Sequence, residues 1–407
     1  MSEQVNQTVD APNRWRLETP GHQGWTRTAR PEDPNKYFMV SADCHILEPA
    51  TLWAERLDKK YKDRLPKIET DENGVKWMVS EGWSRSRLLD FQFDGEDLTR
   101  SKAGSDPVQR LKDHDRDGVD VEVIFPNRGL MMWATPDSAF AQAQCRVYND
   151  WLYEALAPYK DRMLPMAALA TGDLEGSVAE IKRIAKLGFF KGVTLPCKPI
   201  FGAHDPRHPN YNFKIFDPMW EAIQDADFAI TFHVSTGRDP RAARKDGGAV
   251  INYVAHSLSP TIEPIANMCA SGVLERFPRL RFGSIEAGIG WVAWALNAMD
   301  EAYKKHHMWA YPKLKMLPSE YYHQSGFSSF QEDPVGLDDA VRYNLIDNFM
   351  WANDYPHHEG SWPHSAEAIE REMGHLNDEQ RAKILGLNAA RMFKIDVRRR
   401  VPSPSAN

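Results

Sequence analysis

Short apolar runs punctuate this chain, and four of them stop on side chains that bind metal ions. The run at 37–40 leads into Asp43, Cys44 and His45, and the run at 228–232 into His233. The run at 280–285 leads into Glu286, and the run at 349–352 into Asp354, His357 and His358. Runs this short, bounded by polar residues, predict buried strands. In a parallel barrel the C-terminal ends of all strands open on one face, so residues far apart in sequence meet there.

The remaining pattern supplies the rest of such a barrel. A helix is expected to start at Glu48-Pro49 and run toward residue 57, because proline is tolerated in a first turn. Extended segments flank Asp71-Glu72-Asn73-Gly74 between 67 and 87, and Asn-Gly in that setting signals a hairpin inserted beside the active face. From residue 106 helical spacing and strand-like runs alternate. Strands are expected at 119–125, 163–169, 192–195, 228–233, 280–286, 324–330 and 349–354, with helices at 106–116, 136–159, 174–187, 217–226, 261–277 and 290–305 between them. Gly188 after a helix and Pro196 after a strand are the expected punctuation. The stretch 234–260 reads as a long loop behind a ligand-bearing strand, the usual place for a functional segment. Helices at 365–373, 378–385 and 388–393 close the domain. Eight strands alternating with helices predict an α/β fold, a (β/α)8 TIM barrel.

Composition narrows the partners. With 407 residues, 42% hydrophobic and 26% charged, the chain has the make-up of a soluble globular protein rather than a disordered or membrane one. The net charge of −7 and the lack of a basic block exclude a nucleic-acid partner. Cys44, Cys145, Cys197 and Cys269 stand apart without a Cys-x-x-Cys, which predicts a reducing, cytoplasmic compartment. Residues 1–36 are polar, carry Pro12, Pro20, Pro31 and Pro34, and have no apolar core of a signal peptide. They are expected to form an extension that drapes over a partner subunit of a homo- or hetero-oligomer, ahead of a barrel at 37–395 and a polar tail at 396–407.

Several separated motifs resemble one family. They are Ser41-Ala42-Asp43-Cys44-His45-Ile46-Leu47-Glu48-Pro49, Arg110-Leu111 through Asp115-Arg116-Asp117-Gly118-Val119-Asp120, and Ser271-Gly272-Val273-Leu274-Glu275-Arg276-Phe277-Pro278. Asn353-Asp354-Tyr355-Pro356-His357 and the segment from Ile384 to Phe393 complete the set. In this order they are similar to the amidohydrolase-related proteins of the decarboxylase-like branch. The resemblance implies a (β/α)8 barrel with a divalent metal at its mouth. It places the first-strand ligand motif on Asp43 and His45, the fifth-strand ligand on His233, and the eighth-strand ligand, which also orients or deprotonates water, on Asp354. The chain departs from the pattern at the sixth strand. Decarboxylating relatives carry a catalytic histidine there, and this chain has Glu286-Ala287-Gly288.

The chemistry of the residues agrees with a metal. Neutral imidazoles and carboxylates suit Zn, Mn or Fe, and a carboxylate-rich set leans toward Mn or Fe. Asp43, His45, His233, Glu286 and Asp354 are five candidate ligands, more than one open mononuclear site needs, so two metals are an option. Each has a plainer reading: Asp43 and His45 as local helix caps, His233 as a core histidine, and Glu286 as a structural hydrogen-bond partner. Asp354, Glu286 and His256 are the candidate catalytic residues, His256 as a proton shuttle or further ligand. His357 and His358 are placed to hydrogen-bond ligands. Arg128 and Arg238 are candidates for holding a substrate carboxylate. Trp291, Trp294, Trp351 and Trp362 read as packing.

These residues predict a metal-dependent enzyme that acts on a small carboxylate by hydrolysis or non-oxidative decarboxylation. The alternative is a dinuclear non-haem Fe or Mn oxygenase on the same barrel. A non-catalytic subunit of a hetero-oligomer is the third option, and the completeness of the ligand set argues against it.

Overall fold

Every one of the eight expected runs forms a strand in the computed structural model, which describes residues 11–82, 85–88, 93, 95–199, 209–236 and 246–397. The strands are β1 (Val40–Ile46), β2 (Val121–Pro126), β3 (Met163–Pro165, resuming at Ala167–Ala168) and β4 (Gly192–Leu195). They continue with β5 (Ala229–His233), β6 (Arg281–Ile285), β7 (Gly326–Phe330) and β8 (Phe349–Trp351). Each pairs with the next in parallel, from Val40 opposite Val121 to Phe330 opposite Trp351. The seam between β8 and β1 is no full ladder. There the chain makes one parallel bridge, Cys44 with Tyr355, and two backbone hydrogen bonds, His45 N–H to the Tyr355 carbonyl (2.7 Å) and Asp354 N–H to the Asp43 carbonyl (3.1 Å).

A (β/α)8 barrel results, and its two cores follow from strand periodicity. Inward side chains such as Val121, Val123, Leu164, Phe327 and Met350 fill the barrel together with Met392 and Phe393 of the C-terminal helix Asn388–Phe393. That helix plugs the N-terminal end of the barrel and leaves the C-terminal end for chemistry. Outward side chains form the larger core against the surrounding helices. All four cysteines are free and buried. Among the described residues no helix is long and apolar enough to cross a membrane.

Several boundaries differ from the sequence expectation, each for a local reason. β1 starts at Val40 instead of residue 37 and carries Asp43 and His45 within the strand. The first helix spans Leu52–Arg56 and not Glu48 onward, because the Glu48 carboxylate is engaged elsewhere, accepting the backbone N–H groups of Asn127, Arg128 and Gly129. The helix expected over 261–277 is two, Ile262–Ala270 and Val273–Arg276, split where Gly272 takes a φ of 74°. The stretch 234–260 is partly helical, with Gly248–Ile251 followed by a wide turn at Asn252–Leu258, so His256 sits on a helix rather than in a loop.

The inserted hairpin is present as a three-stranded antiparallel sheet of Lys67–Thr70, Lys76–Val79 and Ser86–Arg87. Residues 11–36 lie on their own chain. Arg16 donates to the carbonyls of Gly360 (2.6 Å) and His358 (3.0 Å), and Arg30 makes a bidentate pair with Glu370, both bonds 2.8 Å. The N-terminal extension therefore meets the helix Ser365–Glu372 of its own chain. Residues 1–10, Gly237, Arg238 and the tail beyond 397 lie outside the described residues.

Candidate metal centre

β1 presents Asp43 and His45 two residues apart, so both side chains point the same way on extended chain. The His45 Nδ1 donates to the Pro126 carbonyl at the end of β2 (2.8 Å), and the His233 Nδ1 to the Val234 carbonyl (3.0 Å). Carbonyl oxygens accept only, so both rings carry their proton on Nδ1 and aim the Nε2 lone pair inward. Glu286 follows β6, and its N–H is held by Ser329 Oγ (3.1 Å). Asp354 lies three residues past β8.

These side chains converge. His233 Nε2 is 3.6 Å from Asp43 Oδ1 and 3.3 Å from Glu286 Oε2. His45 Nε2 is 3.7 Å from Asp43 Oδ1, 3.4 Å from Glu286 Oε2 and 3.6 Å from Asp354 Oδ1. His357 joins from the far side, its Nδ1 3.1 Å from Asp354 Oδ1 and its ring stacked on His45 at 4.1 Å. Two overlapping donor groups emerge, Asp43/His45/His233/Glu286 and His45/Glu286/Asp354/His357, sharing His45 and Glu286. Glu286 and Asp354 both take positive φ, 58° and 54°. Non-glycine residues rarely do so, and such strain concentrates at functional sites.

The electrostatics of the cluster call for a cation. Both Asp43 oxygens, the Nε2 atoms of His45 and His233, and Asp354 Oδ1 are buried with no hydrogen-bond partner. Buried polar atoms are seldom left so, because each unmet group costs about 1–3 kcal/mol. Burial, then the Asp354 charge, pushes the carboxyl groups of Asp43 and Glu286 well above their usual range. Burial also drives His45 and His233 below theirs, which keeps them neutral as ligands must be. His357 goes the other way. Burial opposes its charge, but Asp354 outweighs that and lifts it to about 10. A divalent ion among these donors would satisfy the unpaired atoms and relieve the repulsion between carboxylates, so the residues fit one.

Other expected residues fall differently. His256 belongs to neither donor group. His358 pairs with Glu359 (2.8 Å). Trp351 and Trp362 are core residues, whereas Trp294 is 65% exposed.

Two supporting networks escaped the sequence reading. Behind His45, buried Arg110 donates to the His45 carbonyl (2.7 Å) and to the Glu122 carboxylate, which His114 also meets (2.9 Å). Beside Asp354, Asn353 bonds Ser41 and Asp117. The available signal was a charge inside an apolar strand, Glu122 in Val-Glu-Val-Ile-Phe.

With this geometry the chain belongs to the amidohydrolase family, whose model, described as Amidohydrolase, matches residues 42–395. Among individual proteins it is 23% identical to a gamma-resorcylate decarboxylase of Polaromonas sp. strain JS666 over 337 residues, 81% of this chain and 95% of that protein. An amidohydrolase structure from Mycobacterium avium subsp. paratuberculosis K-10 superposes with a TM-score of 0.70 at 21% identity, covering 89% of this chain and 99% of that one. A dihydroxybenzoic acid decarboxylase from Polaromonas sp. JS666, solved with manganese and the inhibitor 2-nitroresorcinol, gives a TM-score of 0.59 at 20% identity, covering 88% and 97%.

Proposed function

We propose that this chain is a metal-dependent carboxy-lyase that removes the carboxyl group of a small aromatic carboxylate without an oxidant. The observation that carries the reading is a cluster of enclosed, unpaired donors with one carboxylate, Glu286, at its open side. The side chains of Asp43, His45, His233 and Asp354 are fully enclosed, and that of Glu286 is 12% exposed. Decarboxylases of aromatic acids among the relatives support the reaction class, and the manganese in one of them supports the metal. The relatives lend no support to oxygenation.

Asp43, His45, His233 and Asp354 would hold the ion. When bound, it supplies a Lewis acid that grips and polarises a substrate carboxylate. The proton chemistry belongs to Glu286. As the bond between ring carbon and carboxyl carbon breaks, carbon dioxide leaves and the electron pair stays on the ring carbon. The Glu286 carboxyl, at the mouth of the cluster, would deliver a proton to that carbon and recover one from solvent. His357, stacked on His45 and bonded to Asp354, orients both.

The two overlapping donor groups support a second reading, in which Asp43, His45, His233, Glu286, Asp354 and His357 would together hold two ions. Exposed Trp294, Met308, Trp309 and Tyr311 support the expected oligomer. The test is elemental analysis of protein purified without chelator, followed by assay of dihydroxybenzoates for carbon dioxide release and oxygen uptake. Carbon dioxide release with no oxygen consumed is expected. Oxygen uptake, or inertness toward every aryl carboxylate with metal bound, would defeat the proposal.

A further inference from the structure

Between the inserted hairpin and the barrel lies a cavity of about 650 Å³, within the roughly 300–1,000 Å³ typical of small-molecule sites. Trp53, Leu65, Met78, Met131 and Met132 form its apolar wall, and Lys62, Lys67 and Arg128 are its charged members. No described aspartate or glutamate lines it. Among the described residues the only side-chain bond of Arg128 is a long one, Nη1 to the Glu48 carbonyl at 3.3 Å, and it makes no ion pair. Ser80 also lines the cavity, and its Oγ is shielded from solvent without a hydrogen-bond partner. Three cations and an unmet hydroxyl against an apolar wall are the complement of a molecule with one anionic end and one apolar body.

The cavity is built. Arg64 clamps Glu81 at the end of the hairpin in a bidentate pair (2.8 and 2.6 Å) and reaches Asp137, the N-cap of the helix Ser138–Leu156 (2.8 Å). Thr135 donates to Glu81 as well (2.8 Å). A Cβ on Gly82 would lie 1.8 Å from the Ala134 carbonyl oxygen, so the hairpin sits tight against the barrel there. The three methionines give the wall an adaptable surface. Arg128 also stands one residue from Asn127, whose Oδ1 lies 3.4 Å from His357 Nε2, so the cavity flanks the metal cluster.

We propose that this cavity is a binding site for an amphipathic carboxylate, its head on Arg128 and Lys62 and its apolar body against Trp53 and the methionines. The site is independent of the reaction assigned to the metal cluster. Calorimetric titration of the full-length, metal-loaded protein with octanoate and with octanol tests it. Octanoate should saturate at one per chain, octanol should bind at least about tenfold more weakly, and Arg128→Met and Lys62→Met should each weaken octanoate by roughly tenfold, the scale of a lost charge-assisted contact. His233→Ala, or chelator treatment should that variant not fold, should leave octanoate binding unchanged. Loss of binding on disabling the metal site would place the carboxylate on the ion instead. Absence of saturation, equal binding of octanol, or binding indifferent to both cation substitutions would likewise overturn the assignment.

Discussion

Asn353 Nδ2 donates to Asp117 Oδ2 over 2.9 Å, joining the residue before the candidate ligand Asp354 to the end of the helix Pro107–Asp117. Asn353 also exchanges two bonds with Ser41 Oγ of β1, 2.8 Å through its side chain and 3.0 Å through its N–H. Ser365 completes the Asp117 carboxylate from its hydroxyl (2.6 Å) and its N–H (3.1 Å). Side chains thus seal the seam where β8 and β1 share only a single bridge, and they do so next to a candidate ligand.

Asn353→Leu should therefore destabilise the fold and loosen the metal site together. The substitution strands Asp117 and Ser41 in the interior, and each unmet buried group costs about 1–3 kcal/mol. Urea midpoints and metal affinity are the measurements. A variant with an unchanged midpoint and normal affinity would show that the backbone bonds alone hold the seam.

Glu122 gives a prediction with a pH signature. Burial would raise its carboxyl, but the charges of Arg110 and His114 outweigh that and hold it well below its usual 4.5. A depressed carboxyl stabilises the fold above its unfolded value and loses that contribution as pH falls through the folded one. Stability of the native chain should fall on acidification below about 4.5, with Glu122 as one contributor. Glu122→Gln leaves Arg110 buried without its counter-charge, at a cost of about 3–5 kcal/mol at neutral pH, and should flatten the acid limb. Denaturation midpoints across pH 3–7 (approximately the carboxylate-to-histidine range) check both parts. An unchanged slope in the variant would assign the acid sensitivity elsewhere.

The strand ends were legible because barrel strands are short apolar runs, and a carboxylate or histidine closing such a run is conspicuous. His233, Glu286 and Asp354 were found that way. The end of β1 was misplaced for the converse reason, since Asp43 and His45 are polar residues inside a strand and break the pattern that marks it. Asn353 and Asp117 are 236 residues apart, and a side-chain bond of that reach leaves no periodic trace. Nor does a positive φ at Glu286 or Asp354, which the surrounding fold imposes. The docking of Arg30 on Glu370 was equally invisible, because polar, proline-bearing sequence looks alike whether it meets its own chain or another.

Gly82 ties the hairpin to the barrel, and Gly82→Ala tests how firmly. Its φ of 76° and the close Ala134 carbonyl leave no room for a methyl group. The hairpin should lift, with a stability loss of at least about 1 kcal/mol and greater protease sensitivity at 67–87, while the metal content stays normal. Limited proteolysis with elemental analysis reads both. Loss of metal in this variant would mean that the hairpin and the cluster fold as one unit.

Glu286→Gln separates the roles open to the sixth strand. The amide has the shape of the acid and faces the same backbone constraint at φ 58°, so the change isolates the ionisable proton and the charge. A structural hydrogen-bond partner would tolerate it, with metal and turnover both near normal. A bridging ligand would not, and the metal content would drop toward one ion per chain. A proton donor gives a third pattern, with metal retained and turnover reduced by about 10²–10⁴, the usual worth of positioned proton transfer. The third pattern is expected, because Glu286 alone of the convergent carboxylates reaches the mouth of the cluster while Asp43, His45, His233 and Asp354 stay enclosed behind it. Elemental analysis beside a carbon dioxide assay distinguishes all three, and normal values in both would remove Glu286 from the chemistry and leave the site to the other four.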